Sequence, residues 1–74
     1  MMLLLDAGNT RLKWALHNGG VIVESGALSY GNMTELRAKA SPLQPGSPVV
    51  GVNVAGPDVA GKIAAALEPL GLAP

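Results

Sequence analysis

Five residues near the start of the chain have types and spacing suited to binding phosphate and a hard metal ion. Asp6, Gly8, Asn9, Thr10 and Lys13 lie within the stretch LLLDAGNTRLKWAL, residues 3 to 16. A lone carboxylate can hold Mg²⁺ directly or through water, because hard cations take oxygen ligands and keep several waters in nucleotide sites. A turn from Gly8 to Thr10 can cradle phosphate oxygens with backbone N–H groups and short polar side chains. Glycine lacks a Cβ, so Gly8 allows a sharp turn and a close backbone approach. Lys13 supplies a point cation to neutralise phosphate charge. The same residues also suit an ordinary hairpin turn, in which Asn9 and Thr10 only satisfy the turn and Lys13 is a solvated strand residue.

The flanking elements decide where these residues stand. Met2 to Leu5 is a short continuous apolar run, as in a strand buried on both faces. Asp6 follows at its C-terminal end, the edge where ligands of open α/β sheets bind. From Arg11 to Leu16 polar and apolar residues alternate, with Leu12, Trp14 and Leu16 on one face and Lys13 beside Arg11 on the other. His17-Asn18-Gly19-Gly20 signals a hairpin turn, and Val21 to Tyr30 reads as a third strand. Val21, Val23 and Leu28 are expected to face one way there, with Gly26 marking a bulge or bend. Asn32 and Glu35 resemble a capping box, which predicts a helix from Met33 to Ala40. Ser41 to Pro48 is a loop. Val49 to Ala55 reads as a buried parallel strand. Pro57 sits at the first position of a second helix and Asp58 at its positive end. Val59, Ile63, Ala66, Leu67 and Leu70 form the apolar stripe of that helix, and Pro69 and Gly71 end it.

The stretch DAGNTRLKWAL resembles the N-terminal phosphate motif of type III pantothenate kinases, also known as the Bvg accessory factor family. The pattern is Asp-x-Gly-Asn-Thr-x-x-Lys, matched by Asp6, Gly8, Asn9, Thr10 and Lys13. The wider superfamily of acetate and sugar kinases, Hsp70 and actin more often carries Asp-x-Gly-Thr or Asp-x-Gly-Ser there. The resemblance implies an α/β fold with a ribonuclease-H-like core of the actin and hexokinase superfamily, β-β-β-α-β-α, with an incomplete mixed sheet lacking its fifth strand and last helix. The fourth strand would then lie parallel to the first, reached by a crossover of the usual right hand.

The resemblance further implies ATP-dependent phosphorylation of pantothenate to 4′-phosphopantothenate, the first step of coenzyme A biosynthesis. ATP and phosphate would be bound by Asp6, Gly8, Asn9, Thr10 and Lys13, with Asp6 also the metal residue. It implies Mg²⁺ with ATP, a monovalent cation such as K⁺ or NH4⁺, and a homodimer. The family's catalytic aspartate lies downstream in a Gly-x-Asp-Arg motif, and a second Asp-x-Gly-Thr motif follows it. Neither occurs here, and the remaining acids, Glu24, Glu35, Asp58 and Glu68, lie in no such motif. No catalytic residue is therefore expected in this chain. Residues 1–74 are expected to form the N-terminal part of the first actin-like domain of a longer protein, inactive alone. Another small-molecule kinase of the superfamily is an alternative, as is a non-catalytic regulatory homologue.

Composition narrows the classes. The chain has 74 residues with five basic and five acidic side chains, so it lacks a nucleic-acid footprint. It has no cysteine, which excludes thiolate metal sites and a thiol nucleophile. Trp14 and Tyr30 are its only aromatics, too few for a base-stacking platform. The apolar N-terminal run is interrupted by Asp6 and is too short for a membrane span or signal peptide, so a cytoplasmic location is expected. Hydrophobic residues make up 49% of the chain, more than so small a domain buries by itself. Trp14 is expected in the core under the first helix, and His17 at the surface. Asn53 is either a satisfied core polar group or a residue reaching a cleft, and Gly56 either lines the site or starts the second helix.

Overall fold

A computed structural model of the chain describes residues 1–74. Its elements are β1 (Met2–Ala7), β2 (Arg11–Asn18), β3 (Val21–Ser29), α1 (Met33–Ala40), β4 (Val49–Asn53) and α2 (Pro57–Leu67), the last continued by a 3₁₀ turn over Glu68–Leu70. The four strands form one sheet in the order β3-β2-β1-β4. β1 runs antiparallel to β2 and parallel to β4. This is the α/β, β-β-β-α-β-α arrangement with a mixed sheet that the sequence leads one to expect.

The hairpin between β1 and β2 follows directly from alternation. Leu3 pairs with Leu16, Leu5 with Trp14 and Ala7 with Leu12, so their side chains share one face. All six are buried. The β2–β3 connection is closed by Gly19 and Gly20 at φ 58° and 89°, the conformation that twists a tight hairpin correctly. α1 contributes Leu36 and Ala40 and α2 contributes Ile63, Ala66 and Leu67 to the same core, with Leu43 and Leu72 filling its margins. Val59 and Leu70 pack against it, completing the stripe expected of α2. Gly71, at φ 72°, ends the helical segment, and Leu72 N–H bonds back to Leu67 O at 3.3 Å.

Both helices therefore cover one face of the sheet, and this corrects two expectations of burial. Met2 and Leu4 are only half-buried and Asp6 is exposed, so β1 is not enclosed on both sides. β4 ends at Asn53 and is an edge strand, with Val50, Val52 and Val54 exposed by 53%, 64% and 71%. Its apolar β-branched composition matches its parallel pairing, but no layer lies over its outer face.

Trp14 lies under α1, as expected. Lys39 Nζ stands 5.7 Å from the indole centroid and also bonds Glu24 of β3 at 3.0 Å. Gly26 is not a bulge. It lies opposite Trp14, where a Cβ would come within 3.0 Å of the indole Cζ2. The glycine makes room for the ring. The register shift falls between Leu16 and His17, opposite Val23. It brings Val21 onto the side of Leu28, yet Val21, Ile22 and Val23 all stay exposed. The capping box also takes another form. Asn32 Nδ2 donates to Glu35 Oε2 at 2.8 Å, and Glu35 N–H bonds the Asn32 carbonyl at 3.1 Å. The two side chains satisfy each other, and no side chain caps the backbone.

Candidate functional site

β1 carries Asp6 to the end of the sheet between two buried neighbours, Leu5 and Ala7. Alternation turns Asp6 to the face without helices. On β2, Lys13 alternates with buried Leu12 and Trp14 in the same way. The register pairs Asp6 directly with Lys13, so a carboxylate and an ammonium share one exposed face. They form no ion pair, since the chain's single salt bridge is Lys39–Glu24. A shallow depression of about 170 Å³ on this face is lined by Leu4, Leu5, Asp6, Lys13, Trp14 and Ala15. A separate cavity of about 130 Å³ between β4 and α2 has no charged lining residue.

The connection from β1 to β2 is closed by Gly8 N–H donating to Arg11 O at 3.1 Å. Asn9 and Thr10 form its exposed tip. Neither of their backbone N–H groups has an acceptor within the chain, and neither side chain takes part in a hydrogen bond. These are free donors at the sheet end that carries Asp6. The structure thus brings Asp6, Gly8, Asn9, Thr10 and Lys13 together. The φ of Gly8 is not positive, and a Cβ there would meet Arg11 O at 3.4 Å, an ordinary contact.

Tyr30 is the residue that sequence reasoning missed. It follows β3 directly, and its ring packs against the core. Its hydroxyl reaches the carbonyls of both Gly8 and Arg11, the latter at 3.0 Å. The available signal was register: Ser29 pairs with Arg11, so the next residue falls against the turn. Burial first, and then the negative charge of Asp6, raise the Tyr30 hydroxyl above the ordinary 10.0. It remains a donor throughout the neutral range. Because the folded state favours the protonated form, this contribution to stability is complete below pH 10 and is lost as pH rises through the raised value. Tyr30 is the only tyrosine, so ultraviolet titration reads it alone. The expected midpoint lies above that of free tyrosine, and a midpoint at or below 10.0 would contradict the placement of the hydroxyl in a desolvated position near Asp6.

The end of β4 lies beside that of β1, with Ala7 paired to Asn53 and Val54 N–H bonded to Ala7 O at 3.0 Å. Asn53 is not a core group. Its Oδ1 accepts from Ala55 N–H at 2.8 Å and its Nδ2 donates to Gly56 O at 2.9 Å. The side chain shapes the exposed turn into α2. Gly56 starts α2 at φ 100°, with Pro57 in the first turn. His17 lies at the far end of β2, partly exposed and without a partner.

No group of three or more His, Cys, Asp or Glu side chains gathers anywhere. Asp6 alone cannot hold a resident ion. One carboxylate does suit Mg²⁺ that arrives coordinated by nucleotide phosphates, which need only one or two protein carboxylates.

A mixed four-stranded sheet of this order with two helices is that of an incomplete ribonuclease-H-like unit, of the actin and hexokinase class. No family model matches the chain, but individual relatives do. It is 47% identical over 75 residues to a type III pantothenate kinase of Aromatoleum aromaticum, covering 100% of this chain and 31% of the relative. It is 48% identical over 67 residues to a type III pantothenate kinase of Paraburkholderia xenovorans, covering 89% and 24%. The one from Chromobacterium violaceum is 41% identical over 70 residues, covering 90% and 28%. The chain belongs to the type III pantothenate kinase family and spans about a third or less of the length of these relatives.

Proposed function

We propose that the full-length protein carrying this chain transfers the γ-phosphoryl group of ATP to the primary hydroxyl of pantothenate. Residues 1–74 form the N-terminal part of its first actin-like domain, and a second domain completes the cleft. The observation that carries this reading is the pairing of Asp6 with Lys13 beside two unpartnered N–H groups at the end of the central strand. Phosphoryl transfer depends on positioning and charge neutralisation more than on covalent chemistry of the protein. In this reading the Asp6 carboxylate accepts the Mg²⁺ that accompanies ATP. The Asn9 and Thr10 N–H groups and the Thr10 hydroxyl donate to phosphate oxygens, and Lys13 offsets their charge. Bound Mg²⁺ supplies further neutralisation of the phosphates.

No residue here is assigned as the base that accepts the substrate's hydroxyl proton. That role falls to the family's downstream aspartate, so the chain alone is expected to be inactive. A monovalent cation such as K⁺ or NH4⁺, a homodimeric assembly and a cytoplasmic location complete the reading. No helix is long and apolar enough to cross a membrane. The test is ATP-dependent formation of 4′-phosphopantothenate with Mg²⁺ and K⁺. Product is expected from the full-length protein and none from residues 1–74. Absence of product from the full-length protein would favour a non-catalytic regulatory homologue, and activity on another acceptor alone would favour a different small-molecule kinase.

A further inference from the structure

We propose that Tyr30 is a positioning residue for nucleotide phosphate: by holding the Gly8 carbonyl, its hydroxyl keeps the Asn9 N–H aimed at the phosphate oxygens. The proposal rests on the phosphate-binding reading above and adds to it a residue outside the Asp-x-Gly-Asn-Thr-x-x-Lys pattern.

The argument begins with the peptide plane. Gly8 C=O and Asn9 N–H belong to one trans peptide, so they point in opposite directions. The Tyr30 ring packs on the core side of the sheet, and its hydroxyl meets Gly8 O from there. Asn9 N–H is thereby directed away from the helix layer, toward the side that bears Asp6 and Lys13. Little else fixes that plane. The bond from Gly8 N–H to Arg11 O closes the neck of the turn, while Asn9 and Thr10 at its tip bond nothing. Glycine gives the Gly8–Asn9 peptide an unusually easy rotation. A rotated peptide would present a carbonyl oxygen, a repulsive dipole, to the phosphate.

Tyr30 is well mounted to resist this. It stands between β3 and α1, in a turn closed by Asn32 N–H to Ser29 O at 3.0 Å, and its ring is anchored against the core. The hydroxyl has one proton and two acceptor carbonyls, Gly8 and Arg11. That one proton is donated to one of the two carbonyls or shared between them, so the hydroxyl holds the turn by a polar contact rather than merely filling space. Gly8 supplies the freedom to approach a ligand and Tyr30 removes the unwanted part of that freedom.

Tyr30→Phe in the full-length protein keeps the packed ring and removes only the hydroxyl. The KM for ATP is expected to rise about three- to tenfold, the scale of one misplaced hydrogen bond, with the KM for pantothenate unchanged. A loss of packing alone would move both or neither. The second readout is the ¹⁵N-labelled Asn9 amide titrated with Mg-ATP. A shift in the wild type that is largely lost in Tyr30→Phe supports the proposal. A shift and a KM for ATP that both persist in Tyr30→Phe overturn the role of Tyr30 and leave the phosphate site standing. No shift in the wild type overturns the phosphate site and this proposal with it. Should Tyr30→Phe fail to fold, 3-fluorotyrosine at position 30 offers a stronger donor of nearly the same shape. It should lower the KM for ATP, and an unchanged value would overturn the proposal.

Discussion

Asp6→Asn in the full-length protein is expected to lower kcat/KM for ATP-dependent phosphorylation by about 10²- to 10³-fold, the scale seen when one preorganised electrostatic group is removed. The substitution preserves shape and deletes one negative charge. Asp6 is exposed, has no hydrogen-bond partner and forms no ion pair. Folding should hardly change, with stability within about 0.5 kcal/mol as for most surface substitutions. Loss of turnover without loss of stability is the signature of a carboxylate kept for a ligand. The Mg²⁺ dependence of the residual rate should shift to higher concentration, because a neutral amide is a poorer ligand for a hard cation. An unchanged rate would remove Asp6 from the site and would fit a scaffold that retains the hairpin only for folding. Thermal melting and phosphopantothenate formation on the same preparation separate these outcomes.

The second large effect concerns stability, and it appears as opposite signs for one chemical change. Gly51→Ala should destabilise the protein by about 1–3 kcal/mol or more, the range for forcing atoms into filled space. A Cβ at position 51 would lie 2.6 Å from Leu5 O and 2.9 Å from Leu5 Cβ. Leu5 O is backbone of the adjacent strand and cannot swing aside as a long side chain would. β4 would have to withdraw from β1, weakening the pairing beside Asp6. Gly61→Ala in α2 should do the reverse. Nothing lies within 4 Å of its Cβ position, and the residue is exposed and helical. Alanine there should stabilise by roughly 0.5–1 kcal/mol, the helix-interior penalty of glycine. The expected order of melting temperatures is Gly61→Ala, wild type, Gly51→Ala, and a reversed order would contradict the β1–β4 packing described above.

The elements were legible wherever a local rule was strong. Alternation in Arg11 to Leu16, the Gly19-Gly20 turn and the apolar stripe of α2 each constrain their own neighbourhood, and all three match. Asn32 and Glu35 bracket the start of α1 and so mark Met33–Ala40 in the sequence, although their side chains bond each other rather than the backbone. Burial was less legible, because it depends on which layers lie over a strand. Val50 and Val52 have the composition of a covered strand but lie uncovered at an edge. Gly26 looks like an irregularity in a strand pattern, yet it answers to an indole across the sheet, and Gly51, likewise, to a carbonyl on the neighbouring strand. Of the candidate site, Asp6, Asn9, Thr10 and Lys13 could be read from a single short stretch. Tyr30 could not, because its partners lie 19 and 22 positions away and only the β2–β3 register brings them together.

The placement of β1 between β2 and β4 also bears on how the chain assembles. β1 meets β2 across one short turn, but it meets β4 only after most of the intervening polypeptide has been made. Contacts close in sequence form fast, whereas those that close long loops form late. On the ribosome, where N-terminal segments emerge first, the nascent β1–β2–β3 meander can pair early and set the turn between Ala7 and Arg11. Meanwhile one flank of β1, with its row of backbone hydrogen-bonding groups, remains open to any other extended segment. Val49–Asn53 thus acts as a latch as well as a strand: its arrival ends the interval in which the central strand can pair with the wrong partner.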